Sequence, residues 1–595
     1  IHPILWCQRS SDQLQQTVKT SVIIFFFHPS SNNLHQTVKP SVVILFPNCR
    51  AMKTFIGPAI LTLCPLLGSF SFSTQPSSLI HPRKTDPTHS QHHHFDAVTN
   101  RATLSTRLHL IKGGGKGNNA ICEIRDDQEG ILQASVAVGV VTATIGFLYG
   151  KALSSSQKLL WSRLPNALIA RNIKINPLYF ITGMCTLGGL LIAILTEKFN
   201  ANFTVGDFVS AFSSAKPEPQ ALPTSQSTLI PLLLLSLLTS AFGFSLGPEA
   251  PMVCAGGIAG ASLARVIYKN KCTDKKMATL AYSGAAGALT AFMGIPIAGS
   301  VFALEITRST TGLSSGARDA FSPAIAASLA GLMVLRGFLA PNAFVGGHFN
   351  YGLVGSIGGR EMMLVAVAAG LGGALLGTLF HKLIVLFKKI LWPVPKEGKS
   401  ISKTRSILVK VLIGLVVGLL GSQYPQTLFW GEGSLQMAID GQKTAFASTH
   451  HGLPDLLTRM ARVDPSVPFA GASAALQIGF VKILAITLAC AGKFPGGIIF
   501  PLFFAGAPFA HAFASLLGPS LLPVAVMGLM AATQAAVTRT PLGSALILSL
   551  TSSGSTELST MLPACLVSSY VGVWGSQWLS SKSYFQYSEK NDKSK

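Results

Sequence analysis

Charge is what this sequence has least of, and acidic charge above all. Only 12% of its 595 residues are charged, and Asp and Glu number 23 against 46 Lys and Arg. Soluble globular domains carry about a quarter of their residues as charges, and disordered chains are poor in apolar residues, so neither class fits. The nine cysteines include no CxxC pair and no Cys/His zinc spacing, which argues against a disulfide framework or a metal site. GGGKGNN, from Gly113, lacks the Gly-Lys-Ser/Thr ending of a P-loop and reads as linker. The net charge of +23 arises from a basic leader and from loops such as Lys151 to Lys174 and Lys382 to Arg405. No folded basic domain accompanies it, so nucleic acid is not an expected partner.

What the chain has is apolar surface: 49% hydrophobic residues and a mean hydropathy of +0.46, values of a multi-pass membrane protein. ILQASVAVGVVTATIGFLYG, from Ile131, and LYFITGMCTLGGLLIAILTE, from Leu178, are long enough to span a bilayer. Further apolar segments fall near 229–267, 278–304, 320–340, 361–391, 406–421, 469–491, 497–518, 521–550 and 560–579. Many are broken by Gly or Pro, so spans and re-entrant pieces are both expected. Small residues four apart (Gly256 and Gly260, Gly373 and Gly377, Gly414 and Gly418) allow close helix packing.

The acidic scarcity is sharpest between Glu218 and Asp274, where Glu249 is the sole carboxylate. Pro248 and Pro251 bracket it, and proline suits the first turn of a helix, so Glu249 is expected at a helix N-terminus at membrane depth. Such termini present unpaired N–H groups and about half a positive charge, which favours anions. The mere-cap reading of Glu249 is set against the rule that intramembrane ionisable groups are functional candidates. GKFPGGIIFPLFFAGA, from Gly492, is its counterpart late in the chain, with Gly496 and Gly497 permitting close approach to a ligand. GAAGALTAFMGIPIAGSVFALEIT, ending at Thr307, is echoed by LMAATQAAVTRTPLGSALILSLTS, ending at Ser552, each a small-residue helix, a proline (Pro296, Pro541) and an apolar helix. Interrupted helices in corresponding places are the sign of a two-half transporter fold.

Residues 1–51 begin without Met, and Met52 is the expected start, with the preceding stretch leader-derived. Residues 52–125 are expected to be a transit peptide and linker: up to about Asn119 they are rich in Ser, Thr and His, with only Asp86 and Asp96 as acids. A secretory signal built on FIGPAILTLCPLLGSFSF is the alternative, and His92 to His94 read as part of a polar tract.

These residues together resemble the CLC family of chloride channels and proton-coupled chloride exchangers. One anion-site motif of that family, G-K/R-E-G-P followed by a Gly-Gly pair, is fitted by Gly247-Pro248-Glu249-Ala250-Pro251 with Gly256-Gly257. Another, G-x-F-x-P, is fitted by Gly497-Ile498-Ile499-Phe500-Pro501, with the Phe one place late. PIAGSVFALE, Pro296 to Glu305, meets the element P-L/I-A-G-x-x-F-x-x-E, and Tyr584, 21 positions after Pro563, stands where a pore tyrosine is expected.

The resemblance implies an all-α polytopic membrane fold of two inverted repeats with broken and re-entrant helices, over residues 126–590. It implies a homodimer with one pore per subunit, small inorganic anions as ligands, no cofactor, and no enzymatic reaction. Glu249 is the implied gate; Gly247, Pro248, Ala250, Gly497, Ile498 and Ile499 surround the anion, with N–H groups near Ile498 and Ile499 as donors and the Tyr584 hydroxyl as a further one. Glu305 and Ile306 occupy the two positions of an E-E pair that ends the family's proton pathway. An apolar second residue cannot relay a proton, so a gated channel is expected and a proton-coupled antiporter is the alternative. NFTVGDFVSAFSSAKPEP lacks the G-S-G-I-P or G-P-G-I-P that favours chloride or nitrate, which leaves the anion open. Leu550 stands where the second half usually has a Glu. The chain stops soon after Tyr584 without paired nucleotide-sensing domains, and with the leader this resembles the plant organellar branch, implying a chloroplast membrane, the thylakoid among the candidates.

Two other classes are carried forward. Gly243-Phe244-Ser245-Leu246-Gly247 matches G-x-S-x-G, with His511 or His348 as base for an intramembrane serine hydrolase, though a nucleophile elbow needs a strand before it. A non-transporting membrane homologue is the third reading.

Overall fold

The computed structural model describes residues 117–199, 226–295, 297–306, 319–340, 349–352, 358–393, 403–431, 434–441, 471–552, 558–579 and 581–584. The expected leader, His92 to His94, the NFTVGDFVSAFSSAKPEP segment, Pro296 and His348 lie outside the described residues.

Among the described residues the chain is helical, with two isolated β-bridges and no strand. The first half comprises α1 (Gly117–Lys158), continued through a π-turn into α2 (Leu164–Ala170), then α3 (Pro177–Phe199), α4 (Gln226–Ala241), α5 (Glu249–Tyr268), α6 (Asp274–Met293), α7 (Ala298–Ile306) and α8 (Phe321–Val334). The second half comprises α9 (Gly359–Leu391), α10 (Lys403–Gln423), α11 (Leu435–Asp440), α12 (Ala472–Ala491), α13 (Ile499–Ala512), α14 (Ala514–Thr538), α15 (Pro541–Thr551) and α16 (Leu558–Trp578). α1 starts at Gly117, inside the stretch read as linker.

Among the described residues, eight helices are long and apolar enough to cross a membrane, and three apolar pieces are too short to do so: Leu229–Ala241, α13 and α15. A span needs about 20 residues at ~1.5 Å each, whereas α13 has 14 and α15 has 11. Short helices that begin inside the protein are the broken elements that the Gly and Pro interruptions predicted.

The packing repeats between the halves. α5 lies on α6 and α6 on α8 in the first half; α13 lies on α14 and α14 on α16 in the second. α1 packs on α6 and α8 just as α9 packs on α14 and α16. The counterparts α3 and α10 pack on each other, as do α7 and α15. Equivalent elements meet themselves only about a two-fold axis, so the two repeats are related by such an axis.

Between helices in lipid there is little hydrophobic driving force, and van der Waals fit decides association. The glycine pairs supply that fit. Gly256 and Gly260 of α5 lie against the Gly284 and Leu280 carbonyls of α6; Gly373 and Gly377 of α9 lie against Ala532 and Ala536 of α14. Gly414 and Gly418 of α10 meet Cys185 and Thr182 of α3.

Candidate functional site

α5 and α13 both begin in the interior, and their starts meet. The chain leaves α4 through Gly243, whose φ of +92° favours glycine. The Ser240 hydroxyl donates to the Leu246 carbonyl at 3.2 Å, and the Ser245 hydroxyl to the Thr427 carbonyl at 2.5 Å. Phe244 stacks at a tilt on Phe494, ring centres 4.3 Å apart. These contacts fix the turn that delivers Gly247.

Gly247 and Gly497 then exchange backbone hydrogen bonds as an antiparallel bridge: Gly247 N–H to the Gly497 carbonyl at 2.8 Å, and Gly497 N–H to the Gly247 carbonyl at 2.5 Å. The bridge joins equivalent residues of the two halves. Next in line, Pro248 is the N-cap of α5 and Ile498 the N-cap of α13.

Glu249, the first residue of α5, is wholly buried. Its carboxylate crosses the bridge and Oε1 accepts from the Phe500 N–H at 3.4 Å, in the first turn of α13. That is long for a charge-assisted bond, which usually closes to about 2.7–2.9 Å. A side-chain carbon on Gly247 or Gly497 would run into this carboxylate, and on Gly497 it would also lie 2.9 Å from the Ala250 nitrogen. The glycines are therefore a steric cradle for a negative oxygen. Ile498 and Ile499 are buried beside it, so the expected anion-site residues Gly247, Pro248, Ala250, Gly497, Ile498 and Ile499 are brought together around Glu249.

Glu305 repeats the arrangement on the other pair of counterpart helices. Its Oε1 accepts from Leu542 N–H at 3.0 Å and its Oε2 from Gly543 N–H at 2.6 Å, at the start of α15. Ile306 ends α7 and is buried. The Tyr584 N–H donates to the Val537 carbonyl at 3.0 Å and its ring meets Phe380 edge-on.

The Phe500 N–H is a backbone donor next to the Ile498 and Ile499 N–H groups that the family resemblance led the sequence analysis to expect. Two further buried polar groups had no place in the sequence reading. Tyr149 of α1 is buried and shares a hydroxyl–hydroxyl hydrogen bond of 2.8 Å with Ser236 of α4. Lys482 of α12 is wholly buried one helix away; the scarcity argument that found Glu249 would also have found it, as a lone cation in the apolar run FVKILAITLACA.

Among the described residues, the hydrolase arrangement with His511 as base is not formed. Ser245 is spent on the Thr427 carbonyl and no strand precedes it, while His511 Nε2 lies 2.9 Å from the Ile439 carbonyl. Among the described residues no group of His, Cys, Asp and Glu could hold a metal ion.

The chain is 25% identical over 380 residues to YfeO, a protein named for ion transport, from Salmonella newport and from Salmonella typhimurium; the match covers 63% of this chain and 77% of YfeO. In fold it is similar to a slow cyanobacterial Cl−/H+ antiporter, with a TM-score of 0.60 and 17% identity over 78% of this chain and 98% of that one. It is also similar to a CLC-type fluoride/proton antiporter, with a TM-score of 0.55 and 18% identity over 76% of this chain and 98% of that one. The family model described as voltage gated chloride channel matches residues 188–573, a stretch that holds both carboxylate-capped helix starts. The chain belongs to the voltage-gated chloride channel family, the CLC proteins.

Proposed function

We propose that this protein is a gated channel for small inorganic anions, chloride first and nitrate second, in which Glu249 is the gate. CLC-type anion transport is the activity of the family to which the chain belongs. The observation that carries the gating role is the Glu249 carboxylate lying on the Phe500 N–H of the opposite half, within a glycine cradle. A carboxylate there is a tethered anion, and a free anion takes the same donor when the side chain swings away or is protonated. The 3.4 Å approach makes that exchange inexpensive.

Passive conduction is favoured by Ile306, which has no proton to relay, and by Glu305, whose two oxygens already hold the start of α15. The proton-coupled antiporter is the second reading, since the structural neighbours named above are proton antiporters. The Ser- and Thr-rich leader with so few acids supports a chloroplast membrane, the thylakoid among them, where anion flow would offset charge carried by protons. A homodimer with one pore per subunit completes the proposal.

The test is chloride efflux and proton uptake recorded together from liposomes holding the full chain. Chloride flux without coupled protons supports the channel. A fixed anion-to-proton ratio makes the protein an exchanger, and an absence of flux from folded protein leaves the non-transporting homologue.

A further inference from the structure

α9, α10 and α12 bring their ends together around one indole. Trp392 closes α9, its N–H donating to the Lys388 carbonyl at 2.9 Å, and its Nε1–H donates to the Ala491 carbonyl, at the end of α12, at 2.7 Å. The Lys493 ammonium lies 4.7 Å from the centre of the Trp392 ring and the Lys410 ammonium 6.0 Å from it, both in range of a cation–π attraction. Arg405, in the first turn of α10, donates from Nε to the Leu391 carbonyl at 3.1 Å, next to the indole in the chain. Lys410 is buried and donates to Ser406 Oγ at 3.3 Å, whereas Arg405 and Lys493 are exposed.

No carboxylate balances these cations. α10 and α12 contain no Asp or Glu, α9 has none after Glu361, and among the described residues Lys410, Lys493 and Arg405 form no ion pair, Glu197 of the neighbouring α3 included. Like charges gathered around one ring repel, and an anion set among them offsets that repulsion. The exposed surface of the same helix ends is apolar. Ile390 of α9 is 59% exposed and Leu408 of α10 is 64% exposed, and exposed Leu386 and Leu412 continue each stripe by one turn. Leu408 stands one turn from Arg405 on one face of α10. Cations at helix ends, an indole and an adjoining apolar stripe match the headgroup, the interface and the acyl chain of a lipid. A free phosphate would use the cations and leave the stripe without a role. The bond to Leu391 uses one of the five N–H donors of Arg405, so its fork keeps donors for phosphate oxygens.

We propose that the ends of α9, α10 and α12 form a site for the phosphate headgroup of an anionic membrane lipid, held by Arg405 and Lys493 beside the Trp392 ring, with buried Lys410 adding to the positive field. Neither Glu249 nor Phe500 takes part, so the site stands apart from the gate and does not rest on the channel reading.

Dioctanoyl phosphatidylglycerol titrated calorimetrically into the detergent-purified full chain tests this, with dioctanoyl phosphatidylcholine and inorganic phosphate as comparisons. Phosphatidylglycerol is expected to bind saturably. Phosphatidylcholine, whose choline neutralises its phosphate, and inorganic phosphate, which has no acyl chain, are expected to bind much more weakly. Lys493→Gln and Arg405→Gln are each expected to weaken phosphatidylglycerol binding by about fivefold, while Lys275→Gln, at the exposed start of α6, leaves it unchanged. Should Arg405→Gln loosen the fold by giving up the Leu391 carbonyl, Lys493→Gln decides alone. Phosphatidylcholine binding as tightly as phosphatidylglycerol would reduce the site to its apolar stripe, and inorganic phosphate binding as tightly would make it a free-phosphate site. Either result, or wild-type affinity in Lys493→Gln, overturns the proposal.

Discussion

Glu249 and Glu305 are both first-half carboxylates that end on a helix start of the second half, yet distance separates their roles. Glu305 is closed down at 2.6 and 3.0 Å, whereas Glu249 approaches its donor at 3.4 Å. Removing a charged hydrogen-bonding partner shifts such an equilibrium by about 1.5–3 kcal/mol. Glu249→Gln is therefore expected to speed chloride efflux from liposomes by about tenfold or more, with the pH dependence of gating lost. Gly497→Ala places a methyl group where the carboxylate sits, so its efflux is expected to approach that of Glu249→Gln, and adding it to Glu249→Gln should change little. Independent, additive effects of the two substitutions would argue that the cradle does not hold the gate. Glu249 was legible in the sequence because a lone carboxylate between two prolines in an apolar run has few explanations. Its donor was legible only as the backbone just after Gly497, through the family resemblance, since any residue but proline at position 500 offers the same N–H.

Elements begin where these carboxylates stand. α15 opens on Pro541, which gives up no needed donor, and Glu305 satisfies the Leu542 and Gly543 N–H groups that the helix leaves open. Glu305→Ala removes that cap and is expected to destabilise the fold by about 1–2 kcal/mol, seen as a lower midpoint of thermal unfolding in detergent, while proton movement stays as in the wild type. A change in coupled proton flux would instead return Glu305 to a relay role. At the α5–α6 crossing Gly284 faces the Gly256 backbone, so Gly284→Val overpacks it, at a cost of about 1–3 kcal/mol in the same unfolding measurement. The repeat of interrupted helices was readable from Gly and Pro placed alike in both halves. The mutual packing of α3 with α10 and α7 with α15 was not, because contacts between distant segments leave no local pattern, and their register is set by shape.

For the whole molecule, the described groups that meet at the site come from both halves of one chain: Glu249 and its turn from the first half, and Gly497 and Phe500 from the second. In the proposed dimer, a wild-type subunit paired with a Glu249→Gln subunit is therefore expected to show two independent conductance levels in single-channel recording, one of them unaltered. A single merged level would place part of the site between subunits.

The glycine bridge has one more consequence, which concerns fragments. Gly247 lies before α8 and Gly497 after α9, so a chain severed between those two helices has one of the partners on each piece. Neither piece alone has both rims of the opening, and each would expose the helix faces that α3 and α10 hide in each other. Co-expressed, the pieces carry complementary surfaces and every group the site requires; expressed singly, each is expected to be silent and short-lived.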